Sequence, residues 1–447
     1  MCAWHDIRGV ALSVAMLAMA ALPAAAGPQL DVIRDPALPK DVKGLDFEIG
    51  RALFERQWAA APSSTQAADG LGPLFNARSC VSCHTGGGRG AAYDAAGNVL
   101  PALLFKLGPH GGAAAATGDP VYGQQIQPES VLGLGGEAHP DVRFEIRTVT
   151  LADGTEVELR KPVATLDGLA FGLLAPETVI SPRLASAING MGLLERIPET
   201  EILARADPDD RDGDGISGRP NEVLDPATGK RALGRFGWKA GEPSLEVQDA
   251  KALDLDIGLS NPIYRDAYGD CTKREAQCLA MPNGASPQFE NLEVPSSLTR
   301  LIDRFVAEAV LPGLAIDSKS VAQGRKVFMA AGCEACHRAQ FDLPASGALP
   351  ARTIAPYSDL MLHDMGMGLA DHLQDGDASG REWRTAPLWG IGVALRSGKA
   401  DLLHDGRARN VLEAILWHDG EAAAARKKVE ALGAADRQAL IDFIGSL

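Results

Sequence analysis

Beyond its first 26 residues the chain has no apolar run long enough to cross a bilayer, which excludes a multi-span membrane protein. It is also short of positive charge: 43 lysines and arginines face 58 aspartates and glutamates, a formal net charge of −15 over 447 residues. That balance argues against nucleic acid or an anionic lipid surface as partner. It suits docking of a small protein with a basic rim, although solubility alone is reason enough for it. Cysteine is scarce, with seven in all, and nothing around Cys2 resembles a lipidation box.

The N-terminus reads as an export signal. Arg8 supplies a basic start, Val10 to Leu22 is apolar, and Ala24-Ala25-Ala26 precedes Gly27. This pattern predicts a secretory signal peptide over residues 1–26 and a soluble, periplasmic mature chain. What remains is long enough for two or three domains with substantial cores.

The other six cysteines carry the chemistry. Four fall in two C-x-x-C-H pentapeptides, Cys80-Val-Ser-Cys83-His84 and Cys333-Glu-Ala-Cys336-His337. This is the attachment signal for c-type haem. Two sulfurs three positions apart share one face of a helical turn, so both reach the porphyrin vinyl groups, and the adjacent histidine reaches the iron. The expectation is two covalently bound haem c groups, attached outside the cytoplasm as the signal requires. Cys271 and Cys278 remain, and in an oxidising compartment a local disulfide is the natural reading, with two free thiols as the alternative.

A repeat organises the chain. Gly50-Arg51-Ala-Leu-Phe54 precedes the first haem motif and Gly324-Arg325-Lys-Val-Phe328 the second; Gly190-Met-Gly192 and Gly390-Ile-Gly392 follow in the same order. The pattern predicts a mainly α protein: two cytochrome c-like haem domains from an internal duplication, at 27–300 and 301–447. The first carries a long insertion with a small β-hairpin, Phe144–Leu151 against Thr155–Leu159. Helices are expected at Phe47–Trp58, Glu199–Arg205, Val321–Ala331, Val411–His418 and Arg437–Ile444.

Several runs carry a family resemblance: Pro73-Leu-Phe-Asn76, Gly192-Leu-Leu-Glu-Arg-Ile-Pro198, Asp212-Gly-Asp-Gly-Ile-Ser-Gly-Arg219, Arg235-Phe-Gly-Trp-Lys-Ala240 and His404-Asp-Gly-Arg-Ala408. Together they resemble the family described as di-haem oxidoreductase, putative peroxidase, and more distantly the bacterial di-haem cytochrome c peroxidases. The resemblance implies Trp238 between the haems, Gln248 as a distal amide ten residues later, and Asp256 as the distal acid/base, with Asp254 its nearest competitor. It further implies that His418, fourteen residues after His404, binds the second iron opposite His337; Met365 and His363 are the competing ligands. An imidazole in place of a thioether lowers the potential.

The run Asp210-x-Asp212-x-Asp214-Gly215 presents alternating carboxylates on a turning loop. Calcium is expected there, with the Ile216 carbonyl as a further ligand, although the closing bidentate glutamate of an EF-hand is absent. His110 and His139 read as loop residues that could cap the first iron, and Trp383 and Trp389 as core. The resulting expectation is a peroxidase-like enzyme. Peroxide is reduced at the haem of His84, with Asp256 moving the proton and Gln248 assisting. Electrons enter at the haem of His337 from a small cytochrome c or copper protein and pass Trp238. The alternatives are a non-catalytic di-haem electron carrier and an oxidase of a protein or thiol substrate.

Overall fold

Gly50 and Gly324 sit where two helices cross too closely for a side chain. The helix Lys43–Glu55 lies against Ser296–Glu308, and a Cβ on Gly50 would overlap the Leu301 carbonyl oxygen. The helix Lys319–Ala331 lies against Ala434–Ile444, and a Cβ on Gly324 would overlap the Ala439 carbonyl oxygen. The second glycine pair repeats the device: Gly192 abuts the Ala307 carbonyl and Gly392 the Gly445 carbonyl. Four residues after each crossing glycine a phenylalanine reaches the histidine of the haem motif, Phe54 at 6.0 Å from His84 and Phe328 at 6.4 Å from His337 between ring centroids. One helical scaffold is thus built twice. The helix Ser296–Glu308, placed by the sequence reading at the opening of the second unit, does in the first what Ala434–Ile444 does in the second. Its Ile302, Phe305 and Val306 share a core with Phe47, Leu53 and Phe54.

The structure is a computed structural model that describes residues 31–39, 43–110, 118–312, 316, 318–347, 349–398 and 401–447. The signal segment 1–26 and most of the Gly/Ala-rich loop 108–118 lie outside these residues. Among the described residues no helix is long and apolar enough to cross a membrane.

The expectation of a mainly α chain is overturned. The structure is 28% helical and 22% strand, and among the described residues the strands form eight separate two-stranded sheets. The reason lies in strand pairs beyond the one expected hairpin. Leu103–Pro109 pairs antiparallel with Thr178–Leu184, and short ladders such as Leu362–Asp364 with Glu382–Arg384 edge the second motif. The hairpin is also longer than its alternating core suggested: His139–Thr150 pairs with Glu156–Asp167 through twelve positions.

That hairpin is a strap. Leu151 and Leu159 at its tip are buried in the core of the second half with Val327, Phe328 and Trp417. Arg160 reaches from it to the Asp401 carboxylate at 3.2 Å and to the carbonyls of Gly406 and Arg407, while Asp153 in the turn pairs with Arg437 at 2.8 Å. Cys271 and Cys278 are joined in a disulfide.

Candidate haem-binding and active site

Each C-x-x-C-H motif opens on its own cavity. The first is lined by Cys80, Cys83 and His84, the second by Cys333, Cys336 and His337. The four cysteines are free of disulfides. Burial pushes the Cys80 thiol up to about 12 and the Cys333 thiol to about 11. A free, protonated thiol is the form that adds to a vinyl group. These thiols fit thioether attachment.

The histidines fit as well. His337 donates its Nδ1–H to the Tyr357 carbonyl at 2.9 Å, and His418 donates its own to the Ala414 carbonyl at 2.7 Å. Both line the second cavity, and burial keeps both neutral, His337 down to about 4. A ring fixed through Nδ1 leaves the Nε2 lone pair for a metal. His418 also acts electrostatically on His337 and helps keep it neutral. Of the competitors, His363 is spent: Nδ1 meets Glu421 at 2.7 Å and Nε2 meets Asp359 at 2.9 Å. Burial opposes charge on this ring, but Asp359, Cys336 and Glu421 outweigh it and hold His363 as an imidazolium. A cation with both nitrogens engaged cannot bind iron. Met365 lines the same cavity with its thioether. His84 is half-buried at the end of the first motif, and burial lowers its pKa to about 4.

The polar side of the first cavity is built from the helix Leu245–Ile257, capped by Ser244, whose hydroxyl accepts from Val247 N. This helix delivers Gln248, Asp249 and Asp256 to the cavity. Gln125 donates through Nε2 to Asp256 Oδ1 and to Asn76 Oδ1, both at 2.7 Å. Burial raises the Asp256 pKa, and Lys106 together with the Gln125 hydrogen bond holds it back. Lys106, also lining the cavity, is pushed down to about 8 by burial. Asp254 lies outside both cavities; burial raises its pKa to about 8, and its carbonyl receives the helix-ending Gly258 N–H. Gln248 lines the cavity, and no side-chain hydrogen bond ties it among the described residues.

Trp238 lines both cavities and is fixed by donation from Nε1 to the Leu184 carbonyl at 2.7 Å. His404 stacks on Trp383 at 3.8 Å between ring centroids and meets Trp238 edge-on. Trp383 therefore lines the second cavity instead of serving only as core. His110 stacks against His372, and His139 begins the long hairpin; neither lines the first cavity. The carboxylates of Asp210, Asp212 and Asp214 lie within 4.8 Å of one another, and Asp214 and Ile216 border the second cavity.

The family model described as di-haem oxidoreductase, putative peroxidase matches residues 34–99 and 127–447. The chain belongs to this di-haem oxidoreductase family. Both haem motifs, Trp238, Asp256 and His418 fall inside the match, whereas Lys106 and Gln125 fall in the stretch it leaves out. These two are the site residues that sequence reasoning missed. Lys106 sits in a strand whose alternation gave no hint of a cavity, and Gln125 sits in a loop with no motif. No curated protein matches the chain. Among solved structures it is similar to a chain described as Kuenenia stuttgartiensis hydrazine synthase pressurised with xenon, at 12% identity and a TM-score of 0.35, covering 98% of this chain and 100% of that one. A score at that level bears no weight here.

Proposed function

We propose that this member of the di-haem oxidoreductase family is an exported c-type enzyme that reduces peroxide in the cavity of His84, using electrons that arrive through the cavity of His337. The observation that carries the reading is the asymmetry of the two cavities across Trp238. Among the histidines that line the second, His337 and His418 are neutral and each anchored at Nδ1 through a backbone carbonyl. The first sets one haem-motif histidine against a polar wall of Asp256, Lys106 and Gln248. One cavity is equipped to saturate a metal and the other to handle a small polar molecule. Haem, when bound, supplies the redox chemistry.

The residues then divide the remaining work. Gln125 spends one N–H on Asp256 Oδ1 and so fixes the carboxyl plane. Asp256 accepts a proton from the peroxide oxygen that enters and returns it to the oxygen that leaves, and burial keeps its affinity for that proton high enough for both steps. Lys106 supplies positive charge beside it, and Gln248 is available to orient the substrate. Among the described residues Trp238 is the one aromatic ring that borders both cavities. We further propose calcium on Asp210, Asp212, Asp214 and the Ile216 carbonyl, and a small cytochrome c or copper protein with a basic docking face as electron donor to this acidic periplasmic chain.

Optical and EPR spectra of the matured protein, with and without peroxide, test the reading. A high-spin ferric component that peroxide converts is expected. Two low-spin haems inert to peroxide and cyanide would leave a carrier, not an enzyme. A calcium titration of chelated protein that changes neither spectrum nor melting temperature would remove the metal.

A further inference from the structure

The partition between the two cavities contains a charge imbalance. Arg89 and Arg384 both border both cavities. Arg384 is 7% exposed, and its side chain donates to the carbonyls of Gly237 and Thr385. Arg89 donates to the Asp401 carbonyl and lies with its guanidinium 5.6 Å from the centroid of the Trp238 ring. Neither has a carboxylate partner within salt-bridge distance among the described residues. The nearest acids are already committed. Asp401 accepts from Arg160 and from Ala92 N, and Asp359 accepts from His363 and Met361 N.

Burying a guanidinium without an anion costs several kcal/mol, and in folded chains buried arginines are paired. The other arginines that are less than a tenth exposed among the described residues obey that rule: Arg183 is met by Asp371 and Asp375, Arg407 by Asp405 and Arg437 by Asp153. Burial lowers the pKa of Arg89 and of Arg384 to about 10, opposed by Asp401 and Asp359, whose carboxylates are engaged elsewhere. Two planar, forked donors lacking counter-ions in one partition call for carboxylates or phosphates.

We infer that Arg89 and Arg384 are the anion site of the partition and take the propionate carboxylates of the two porphyrins, so that both haems turn their charged edges toward Trp238. The inference rests on the haem reading given above and adds to it an orientation. It ties Arg384 to the turn that carries the tryptophan as well, since Arg384 N donates to the Trp238 carbonyl at 2.8 Å. Electron passage between the haems would then run edge to edge past a ring held by the same residues that hold the propionates. A positive charge fixed at the propionate edge also favours the reduced iron.

The test is spectroelectrochemical titration of the matured di-haem protein, wild type against Arg89→Gln and Arg384→Gln, with Arg89→Lys and Arg384→Lys as charge-keeping variants. Arg325→Gln, on the exposed face of the Lys319–Ala331 helix, is the control. Each Gln variant should shift the reduction equilibrium of at least one haem about tenfold toward the ferric state, which for one electron is about 59 mV. The Lys variants should recover most of it and Arg325→Gln none. Should a Gln variant fail to mature, resonance Raman of wild type decides, because propionate bending modes move when the carboxylate is hydrogen-bonded. Potentials unchanged within twofold in both Gln variants, or bending modes at the frequency of solvated propionate, overturn the assignment. A wild type that carries fewer than two haems by the pyridine haemochromogen assay would instead defeat the underlying reading.

Discussion

Replacing Asp256 by Asn tests the chemistry of the first cavity at one atom. Gln125 Nε2 donates toward both Asn76 Oδ1 and Asp256 Oδ1 at 2.7 Å, so both its amide hydrogens are used. An asparagine at 256 must therefore keep its oxygen toward Gln125, since the opposite rotamer would set two amide nitrogens against each other. Its NH2 then occupies the position of Oδ2, replacing the proton acceptor with a fixed donor. Volume, packing and the Gln125 contact are retained, and only proton transfer is lost. Loss of a general base of this kind is worth about 10²–10⁴ in rate, roughly 3–5 kcal/mol of barrier. The assay is stopped-flow reaction of the reduced protein with peroxide, paired with haem content and the optical spectrum to show an intact site. Gln125→Leu gives the companion pH profile. Without the hydrogen bond that holds the Asp256 pKa down, the acid limb of the rate should move to higher pH. A peroxide rate in Asp256→Asn within threefold of wild type would refute the reasoning.

Other outcomes follow from the same geometry. His418→Met should raise the potential of the second haem and change its low-spin EPR signature, because a thioether replaces imidazole; an unchanged spectrum would move the ligand to Met365. Lys239, 0% exposed, donates to Asp371 and to the carbonyls of Leu373 and Ser379. Lys239→Met leaves Asp371 with Arg183, Ser181 and the Leu373 N–H, and thermal unfolding should show a loss of about 3–5 kcal/mol. Asp405 is buried, and despite burial the Arg407 guanidinium and His404 hold its carboxyl far below the usual range. A depressed folded pKa contributes stability that is complete above the unfolded value of about 4 and is lost as pH falls. Urea midpoints should therefore drop on acidification below about pH 4, and Asp405→Asn should flatten that part of the slope.

The haem motifs and the paired glycines were legible because each is a local pattern with a local cause. A C-x-x-C-H turn needs no partner to be recognised. Gly50 and Gly324 repeat because two helix crossings repeat. What escaped notice depends on distant residues. Lys106 belongs to the cavity because its strand pairs with Thr178–Leu184, more than 70 residues away, and Gln125 because it meets Asn76 and Asp256 from across the fold. His363 illustrates the converse. Its sequence context beside Met365 left it a ligand candidate, and only the convergence of Asp359 and Glu421 shows it to be an imidazolium. The short ladders that overturned the mainly α expectation are of the same kind, since each pairs segments too brief to signal themselves.

The strap formed by residues 139–167 has a consequence for evolution and engineering. A duplicated gene could in principle yield two haem carriers free to drift apart. Here one copy extends an arm whose tip, at Leu151 and Leu159, completes the other copy's core. Cutting the chain between the repeats would thus leave the downstream half with an open apolar wound, and neither piece should serve as a stand-alone cytochrome.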